Sequence, residues 1–450
     1  MKPRNKIHLI FCGLLLLHAW LSFQVQFTAW PEMLTYPWLM DHGFRFYGDI
    51  IHPYLPLLPV TLWGFFKIFG FSIFNLHLFT LGILWLIDGL IFYATNKKFG
   101  LHWASLSTLF FILAGLVLEE NGLWFDIFGI PLVIGALLLA DSKKQLFPLQ
   151  YFIVGFIMGL AVLVKQTFVI FLLPVFILLI LHYKKIIQVG IGTAVPLILV
   201  STIFFFKGQF AEFAYWGIWH PIFVHAQIPG FALLPTKREF LVSLIVFLPI
   251  IIFGFKKRPG LWFMSLCISF LFAVPRFAYF HLIPAVAFAS FLLPTTSVPK
   301  SFKLYKVGYT FAVSLLAIIF IVNSWHKPTR FFDSEVFAVQ EKIVQEIGDQ
   351  QGVYFYNVPS QYFVFTNVLP LKPWVDTFPW YLEVGGVQQQ IIESLEKSPY
   401  IVAATFQNEG AFVPGSYKPQ LIDFYITGHF TKIAQITPQL ILMSRTKVSK

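Results

Sequence analysis

Acidic and histidine side chains cluster in one short segment that follows the first long apolar run. The segment 30–56 contains Glu32, Asp41, Asp49 and His52 among aromatic residues and prolines. A carboxylate in such surroundings can remove a proton from an incoming hydroxyl or amine, because an apolar environment raises its proton affinity. The segment therefore contains candidates for a general base.

Basic side chains interrupt two later apolar runs. Lys165 divides a long apolar stretch, and Arg276 lies between Pro275 and the segment that ends at His281. A charge at the bilayer centre costs about 2.5–3.5 kcal/mol, so such a residue usually faces a cavity or marks a turn. Ammonium and guanidinium groups bind phosphate and stabilise it as a leaving group. The alternative is a cation that snorkels at the membrane interface.

The composition sets the class of protein. Of 450 residues, 57% are hydrophobic and 12% are charged, against about 25% charged in soluble domains. A soluble globule with so few charges could not cover its surface, so we expect a polytopic α-helical membrane protein. The net charge of +11 comes largely from short basic loops between apolar runs, which gives no reason to expect a nucleic-acid partner.

The apolar runs predict about eleven transmembrane helices. The segment 53–71 is also apolar, but counting it as a span would put most basic loops outside, against the positive-inside rule. We therefore interpret it as an interfacial helix within a first outer loop, 30–72. The N-terminus is then cytoplasmic and the polar segments are extracytoplasmic. The predicted spans lie near 7–29, 74–95, 101–118, 124–140, 147–163, 167–182, 187–206, 239–255, 261–275, 279–294 and 307–323.

From about Trp325 the sequence becomes more polar. We predict a transmembrane domain at 1–324 and a small extracytoplasmic α/β domain at 325–450. A helix is expected from Asp333 to Ile347, with Asp333 or Ser334 as its N-cap. Strands are expected at 353–357, 400–406 and 440–444, with helices at 388–397 and 420–425 between them. An aromatic strip could stack on sugars or form ordinary core: Tyr362, Trp374, Asp376, Trp380 and Tyr381.

Several common signatures are absent from the sequence. It has no Gly-rich phosphate loop, no Gly-x-Gly-x-x-Gly after a strand, no His-Glu-x-x-His, no Cys-x-x-Cys and no Asp-x-Asp. Each would have indicated a nucleotide or metal site. The sequence therefore does not support a nucleotide site on either side of the membrane.

The placement of the polar residues resembles the GT-C superfamily of polyprenyl-phosphate-sugar glycosyltransferases. The nearest groups are the protein O-mannosyltransferases and the lipid A aminoarabinose transferases, with uncharacterised bacterial relatives. The resemblance covers about residues 7–295. Its matching features are Glu32 after the first span, the aromatic segment 43–49, the Pro-rich segment 52–57, the helix end at 68–70, Asp126 after the third span, Lys165 after a short span, and Arg276 with His281 near a late span.

This resemblance implies an inverting transfer of a sugar from a polyprenyl-phosphate donor at the outer face of the cytoplasmic membrane. The acceptor would be a glycan, a lipid or a protein. Glu32 would be the general base, where many relatives have Asp, with Asp49 or Asp41 as alternatives. Some relatives bind a divalent metal, and metal dependence stays open here. The remaining roles are binding of the donor phosphate by Lys165 and Arg276, and support of the pocket by Asp41, Asp49, His52, Asp126 and His281.

A polytopic transporter or lipid-linked-sugar flippase is the main alternative, since it also needs charges in a helical bundle. Such a protein should have polar residues near the membrane midplane, on interrupted helices in paired repeats. Here the polar residues fall mostly at the outer ends of the predicted spans. This distribution favours the glycosyltransferase.

Overall fold

The computed structural model describes residues 3–141, 147–228, 230–255, 260–295, 303–348, 352–358, 360–376, 378–398, 400–404, 419–438 and 440–446. The basic loops at 143–144, 256–258 and Lys300 lie outside the described residues. By its internal contacts the chain forms two compact units. The first comprises Met1–Thr28, Leu76–Ile203 and Leu233–Pro328, and the second comprises Ala29–Asn75, Phe204–Ala232 and Thr329–Lys450.

Helices occupy every apolar segment that the sequence predicts as a span. Two of them begin with a 3-10 turn, at Gln166–Phe171 and Tyr279–Leu282, and two end with such a turn, at Phe270–Ala273 and Leu293–Thr295. The α-helices are Pro3–Gln24, Ile73–Phe99, Leu101–Val117, Phe125–Ala140, Pro148–Val164, Leu172–Leu178, Tyr183–Phe206, Lys237–Phe255, Leu261–Ser269, Ile283–Leu292 and Lys303–Ser324.

Length and composition identify the membrane-crossing helices. Within the described ranges, three helices are long and apolar enough to cross a bilayer, namely Asn5–Gln24, Ile73–Phe99 and Tyr183–Phe206. Several further apolar helices are shorter, at 10–17 residues, below the roughly 20 residues of a full crossing. The chain is therefore a membrane protein, and the number of about eleven spans stays a prediction.

Small residues allow two helices of the first unit to pack closely. A Cβ at Gly155 would lie 2.0 Å from the carbonyl oxygen of Val189, and one at Gly192 would lie 2.1 Å from that of Phe152. The helices Pro148–Val164 and Tyr183–Phe206 thus approach backbone to backbone, as glycine permits in membrane helices.

In the second unit, the first outer loop forms two helices, Glu32–Asp41 and Leu57–Phe69. The second of these lies within the segment predicted as an interfacial helix, so its helical structure is confirmed. Its position relative to the membrane stays a prediction. A further helical segment runs from Phe210–Ala214 into Tyr215–Val224.

The C-terminal segment of the second unit is an α/β structure, as predicted. Its strands are β1 (Tyr354–Tyr356), β2 (Tyr400–Ala404), β3 (Phe430–Thr437) and β4 (Leu440–Arg445), in the sheet order β1-β2-β4-β3. β1 pairs with β2 in parallel, and the other pairs are antiparallel. Its helices are Ser334–Ile347, Gln361–Thr366, Pro379–Leu382, Val387–Leu395 and Gln420–His429.

Several details of this segment match the sequence expectations. Asp333 caps the helix Ser334–Ile347, and its carboxylate accepts hydrogen bonds from the backbone N–H groups of Glu335 and Val336 at 3.1 and 3.0 Å. The strands at β1, β2 and β4 were expected, although positions 405–406 lie outside the described residues. β3 was missed because it is an edge strand whose polar residues face solvent. The domain boundary at 324/325 stays a prediction.

Candidate functional site

Glu32 is the first residue of a helix in the second unit. It begins Glu32–Asp41 directly after Pro31, where the helix dipole favours a negative charge. The side chain is partly buried, and its Oε2 atom is buried without a hydrogen-bond partner. Burial raises the pKa of Glu32 to about 7. A carboxyl group with this pKa can accept and release a proton near neutral pH.

The carboxylate of Asp49 forms hydrogen bonds with two cationic side chains. Its carboxylate accepts from the backbone N–H of Arg45 at 2.9 Å, from its guanidinium at 3.0 and 3.2 Å, and from Lys372 Nζ at 3.2 Å. Burial alone would raise the pKa of Asp49, but these hydrogen bonds outweigh it and hold the pKa below its usual range. Asp49 is therefore an ionised anchor for two cationic side chains.

The C-terminal segment joins this loop through a short backbone ladder. The N–H of Trp374 donates to the carbonyl oxygen of Asp49 at 2.7 Å, and the N–H of Ile51 donates to that of Trp374 at 3.1 Å. Asp376 follows two residues after this ladder, and burial together with the charge of Glu32 raises the pKa of Asp376 well above its usual value. Asp376 is 7% exposed. The ladder thus joins the segment that carries Asp376 to the first outer loop.

His52 lies among aromatic rings of the same loop. It is 1% exposed, and its ring centroid lies 4.5 Å from that of Tyr36 and 5.4 Å from that of Tyr54. Burial lowers the pKa of His52 to about 3, so the imidazole is neutral at physiological pH. It can shape the pocket, as predicted, but adds no charge.

Asp41 lies at the other end of the helix that Glu32 begins. Their positions are about 14 Å apart along the helix axis. Asp41 is exposed and accepts from Trp63 Nε1 and Lys67 Nζ, each at 3.2 Å. It thereby links the helices Glu32–Asp41 and Leu57–Phe69.

In the first unit, Asp126, Lys165 and His281 form one buried cluster. Lys165 Nζ donates to Asp126 Oδ1 at 2.7 Å, and His281 Nδ1 shares a short hydrogen bond with Asp126 Oδ2. Asp126 is fully buried, Lys165 is 6% exposed and His281 is 7% exposed. The Lys165 ammonium also lies 5.3 Å from the ring centroid of Phe272.

Local structure explains how the cluster forms. Asp126 lies in the first turn of Phe125–Ala140, where the helix dipole stabilises a carboxylate. Lys165 is a single extended residue between Pro148–Val164 and the following 3-10 turn. It therefore marks a turn, which was one of the two sequence expectations. His281 lies in the 3-10 turn that begins a later helix.

Arg276 belongs to a short parallel pairing in the first unit. The N–H of Leu233 donates to the carbonyl oxygen of Pro275 at 3.0 Å, and that of Phe277 donates to Leu233 at 2.8 Å. Arg276 is partly buried and interacts electrostatically with His281. The first unit thus combines two cations, a histidine and one carboxylate.

Sequence reasoning missed a second buried network in the first unit. His18 Nδ1 lies 2.6 Å from Asp88 Oδ2, and His18 Nε2 lies 3.2 Å from Glu120 Oε1, with all three side chains fully buried. One turn further along, Ser22 contacts His77 at 2.8 Å. A histidine in one predicted span and an aspartate in another was the signal that could have suggested this pairing.

No metal centre is evident in the part of the chain that the structure describes. There, no group of three or more His, Cys, Asp or Glu side chains has an arrangement that could hold a metal ion.

The fold is similar to that of solved GT-C proteins. A crystal structure of apo ArnT, the lipid A aminoarabinose transferase, from Cupriavidus metallidurans matches with a TM-score of 0.64 at 12% identity, covering 99% of each chain. ArnT from the same organism bound to undecaprenyl phosphate matches with a TM-score of 0.63 at 12% identity, covering 98% of each chain. The apo oligosaccharyltransferase of Archaeoglobus fulgidus matches with a TM-score of 0.52 at 13% identity, covering 88% of this chain and 69% of that one.

These similarities concern the fold. No protein-family model matches the chain, and no curated protein matches its sequence. The resemblance to the GT-C superfamily that the sequence suggested is confirmed at the level of the fold.

Proposed function

We propose that this chain is an integral membrane glycosyltransferase that moves a sugar from a polyprenyl-phosphate donor to an acceptor. The observation that carries the proposal is the buried carboxyl group of Glu32, whose pKa is about 7. Two comparisons support the donor class. The chain shares its fold with ArnT over nearly its full length, and one ArnT structure contains undecaprenyl phosphate.

In the proposed reaction, an acceptor hydroxyl or amine attacks the anomeric carbon of the donor sugar. The bond from the acceptor atom to that carbon forms as the bond from carbon to phosphate oxygen breaks. The electron pair of the broken bond leaves with the lipid phosphate, and the acceptor proton passes to the Glu32 carboxylate. Attack opposite to the leaving phosphate inverts the configuration at the anomeric carbon.

Glu32 is better suited to the base role than its two alternatives. Asp49 accepts hydrogen bonds from Arg45 and Lys372, so its proton affinity is low. Asp41 is exposed and paired with Lys67. A general base works best when its pKa lies near the working pH, and Glu32 meets that condition.

Lys165 and Arg276 are proposed to bind the donor phosphate. An ammonium carries three N–H donors, so Lys165 can contact Asp126 and a phosphate oxygen at the same time. Asp126 would fix the direction of the ammonium, and His281 would fix Asp126. Charge on the departing phosphate would be stabilised by both cations.

The proposed location is the cytoplasmic membrane, with the chemistry at its outer face and the C-terminal domain extracytoplasmic. The positive-inside rule applied to the basic loops supports this orientation. The acceptor class is a glycan, a lipid or a protein. Dependence on a divalent metal stays open, and no step of the proposed reaction is assigned to one.

Transfer of radiolabelled sugar by the purified chain tests the proposal. A panel of polyprenyl-phosphate sugars and acceptors should give labelled product, and Glu32→Gln should lose at least about 100-fold in kcat. The matched control is Glu396→Gln, which changes an exposed glutamate and should transfer normally. No transfer from any donor would contradict the proposed enzyme.

One observation favours the alternative of a transporter or flippase. The fully buried group of His18, Asp88 and Glu120 is typical of proton-relay sites in transporters. Reconstituted vesicles with a fluorescent lipid-linked sugar distinguish the two. Translocation that is lost in His18→Gln but kept in Glu32→Gln would support the transporter.

A further inference from the structure

The C-terminal segment brings a second carboxyl group to the proposed base. Its backbone ladder with the first outer loop consists of hydrogen bonds from Trp374 to Asp49 and from Ile51 to Trp374, at 2.7 and 3.1 Å. Asp376 follows two residues after this ladder, so its main chain is fixed against the same loop. The helix that Glu32 begins packs against this part of the chain, since the ring centroids of Tyr36 and Trp374 lie 5.5 Å apart and Thr35 Oγ1 donates to the carbonyl oxygen of Ser360 at 3.5 Å.

Both carboxyl groups have a buried oxygen atom without a hydrogen-bond partner. These atoms are Oε2 of Glu32 and Oδ2 of Asp376. Asp376 is 7% exposed, and Ser360 supplies a hydrogen bond to its side chain. Two carboxylates that share a buried site cannot both ionise readily, because like charges repel strongly where water is excluded.

Within the described residues, two tyrosines interact electrostatically with this pair. Tyr36 and Tyr381 each interact with both carboxyl groups, and Tyr54 interacts with the two tyrosines. Burial raises the pKa of Tyr36 and of Tyr381 well above the usual value. His52 is packed against Tyr36 and is neutral. These groups therefore supply no positive charge that would balance a second carboxylate near pH 7.

We propose that Glu32 and Asp376 act as one carboxyl pair whose catalytic form carries a single negative charge and a single shared proton. In this pair Asp376 is a positioning residue: its proton stabilises the carboxylate form of Glu32 without contacting the acceptor. This inference rests on the proposed function for its catalytic meaning. During transfer the pair gains the acceptor proton and becomes doubly protonated, and one proton then leaves to water.

The pairing makes the C-terminal segment part of the catalytic machinery. The proton affinity of the base would depend on a residue more than 300 positions away in sequence. Displacement of the segment 372–376 would separate the two carboxyl groups and change the pH at which the base works.

Thermal unfolding of the full-length chain as a function of pH tests the pair without requiring activity. A carboxyl group whose pKa is raised by folding stabilises the folded chain at pH values below its unfolded pKa. This contribution is lost as pH rises through its folded pKa. Wild type, Glu32→Gln, Asp376→Asn and the double variant would be compared between about pH 5 and pH 9. Coupling predicts that the falls in Tm of wild type and of the double variant, added together, exceed the falls of the two single variants added together.

Equality of these quantities would overturn the pair, because independent carboxyl groups contribute additively. Glu396→Gln is the control and should reproduce the wild-type curve. Asp376→Ser, which also removes the carboxyl group, enters the same comparison if Asp376→Asn does not fold.

The pH dependence of kcat distinguishes a positioning role from a structural one. Asp376→Ala should move the ascending limb to higher pH, because the carboxylate of Glu32 loses its proton donor. Asp376→Asn should restore the wild-type midpoint, since a neutral amide also donates a hydrogen bond. An unmoved midpoint in Asp376→Ala would overturn the role assigned to Asp376.

The two tests separate this inference from the proposed function. Excess loss of Tm in wild type, without sugar transfer from any donor, would overturn the enzyme and leave the carboxyl pair standing. Sugar transfer with additive losses of Tm would overturn the pair alone.

Discussion

Lys165 donates a 2.7 Å hydrogen bond to Asp126 at a helix break where neither side chain is more than 7% exposed. Breaking a buried ion pair from one side leaves an uncompensated charge, which costs far more than the pair contributes when intact. Removal of one partner of this pair should therefore destabilise the first unit strongly. A purely structural pair and a phosphate-binding pair respond differently to substitution.

The first prediction concerns Lys165→Met. It should destabilise the folded chain by about 3–5 kcal/mol, because Asp126 would be buried without its cation. Thermal unfolding in detergent measures this loss. If Lys165 also binds the donor phosphate, the double variant Lys165→Met/Asp126→Asn should regain much of the stability yet keep a raised KM for the donor.

The matched control is Lys184→Met, which changes an exposed lysine and should alter neither quantity. A double variant that recovers both stability and donor KM would show Lys165 to be structural only.

The second prediction concerns pH. Because burial raises the pKa of Glu32 to about 7, its base form is present above this pH and lost below it. The rate constant kcat should therefore rise with pH and reach half its plateau near pH 7. Glu32→Asp should keep an ascending limb, whereas Glu32→Gln should have no such limb in its residual rate. Steady-state transfer assays across pH measure both, and a flat wild-type profile would argue against Glu32 as the base.

The third prediction concerns Asp49. Its pKa is lowered by Arg45 and Lys372, so its contribution to stability is present above its unfolded pKa and is lost as pH falls through its folded pKa. Asp49→Asn should lower the free energy of unfolding at neutral pH and reduce the acid-induced loss of stability. Lys372→Met should have a smaller effect, since that side chain is 47% exposed. Unfolding at pH 7 and below pH 4 compares the three proteins, and an unchanged acid limb in Asp49→Asn would disprove the assignment.

The sequence predicted the helices well because they depend on long apolar runs. Each expected segment contains a helix, and the segment 53–71 contains the helix Leu57–Phe69. The turn at Lys165 was also predictable, since an unpaired ammonium is unfavourable inside an apolar helix. Local composition is therefore enough to predict these helices and this turn.

The site was only partly predictable. Glu32 and Asp49 belong to one short segment, so the sequence placed both in the first outer loop. The segment that carries Asp376 joins this loop through the ladder of Trp374 with residues 49–51, and no local pattern encodes such a pairing. β3 was missed for a related reason, because an edge strand with polar residues lacks the alternating apolar pattern of a half-buried one.

The last prediction concerns Gly115, whose lack of a side chain leaves room for the carboxylate of Glu120 beside His18. A Cβ at Gly115 would lie 1.8 Å from Glu120 Oε2, so Gly115→Ala must displace that carboxylate. Its 3.2 Å contact with His18 would be lost, and the expected destabilisation is about 1–3 kcal/mol. The control is Gly135→Ala, in a helix where an added Cβ meets nothing within 4 Å. That change should be neutral or slightly stabilising, because alanine has the higher helix propensity. Thermal unfolding of both variants decides the matter: equal Tm values would mean that the carboxylate of Glu120 is not held against His18.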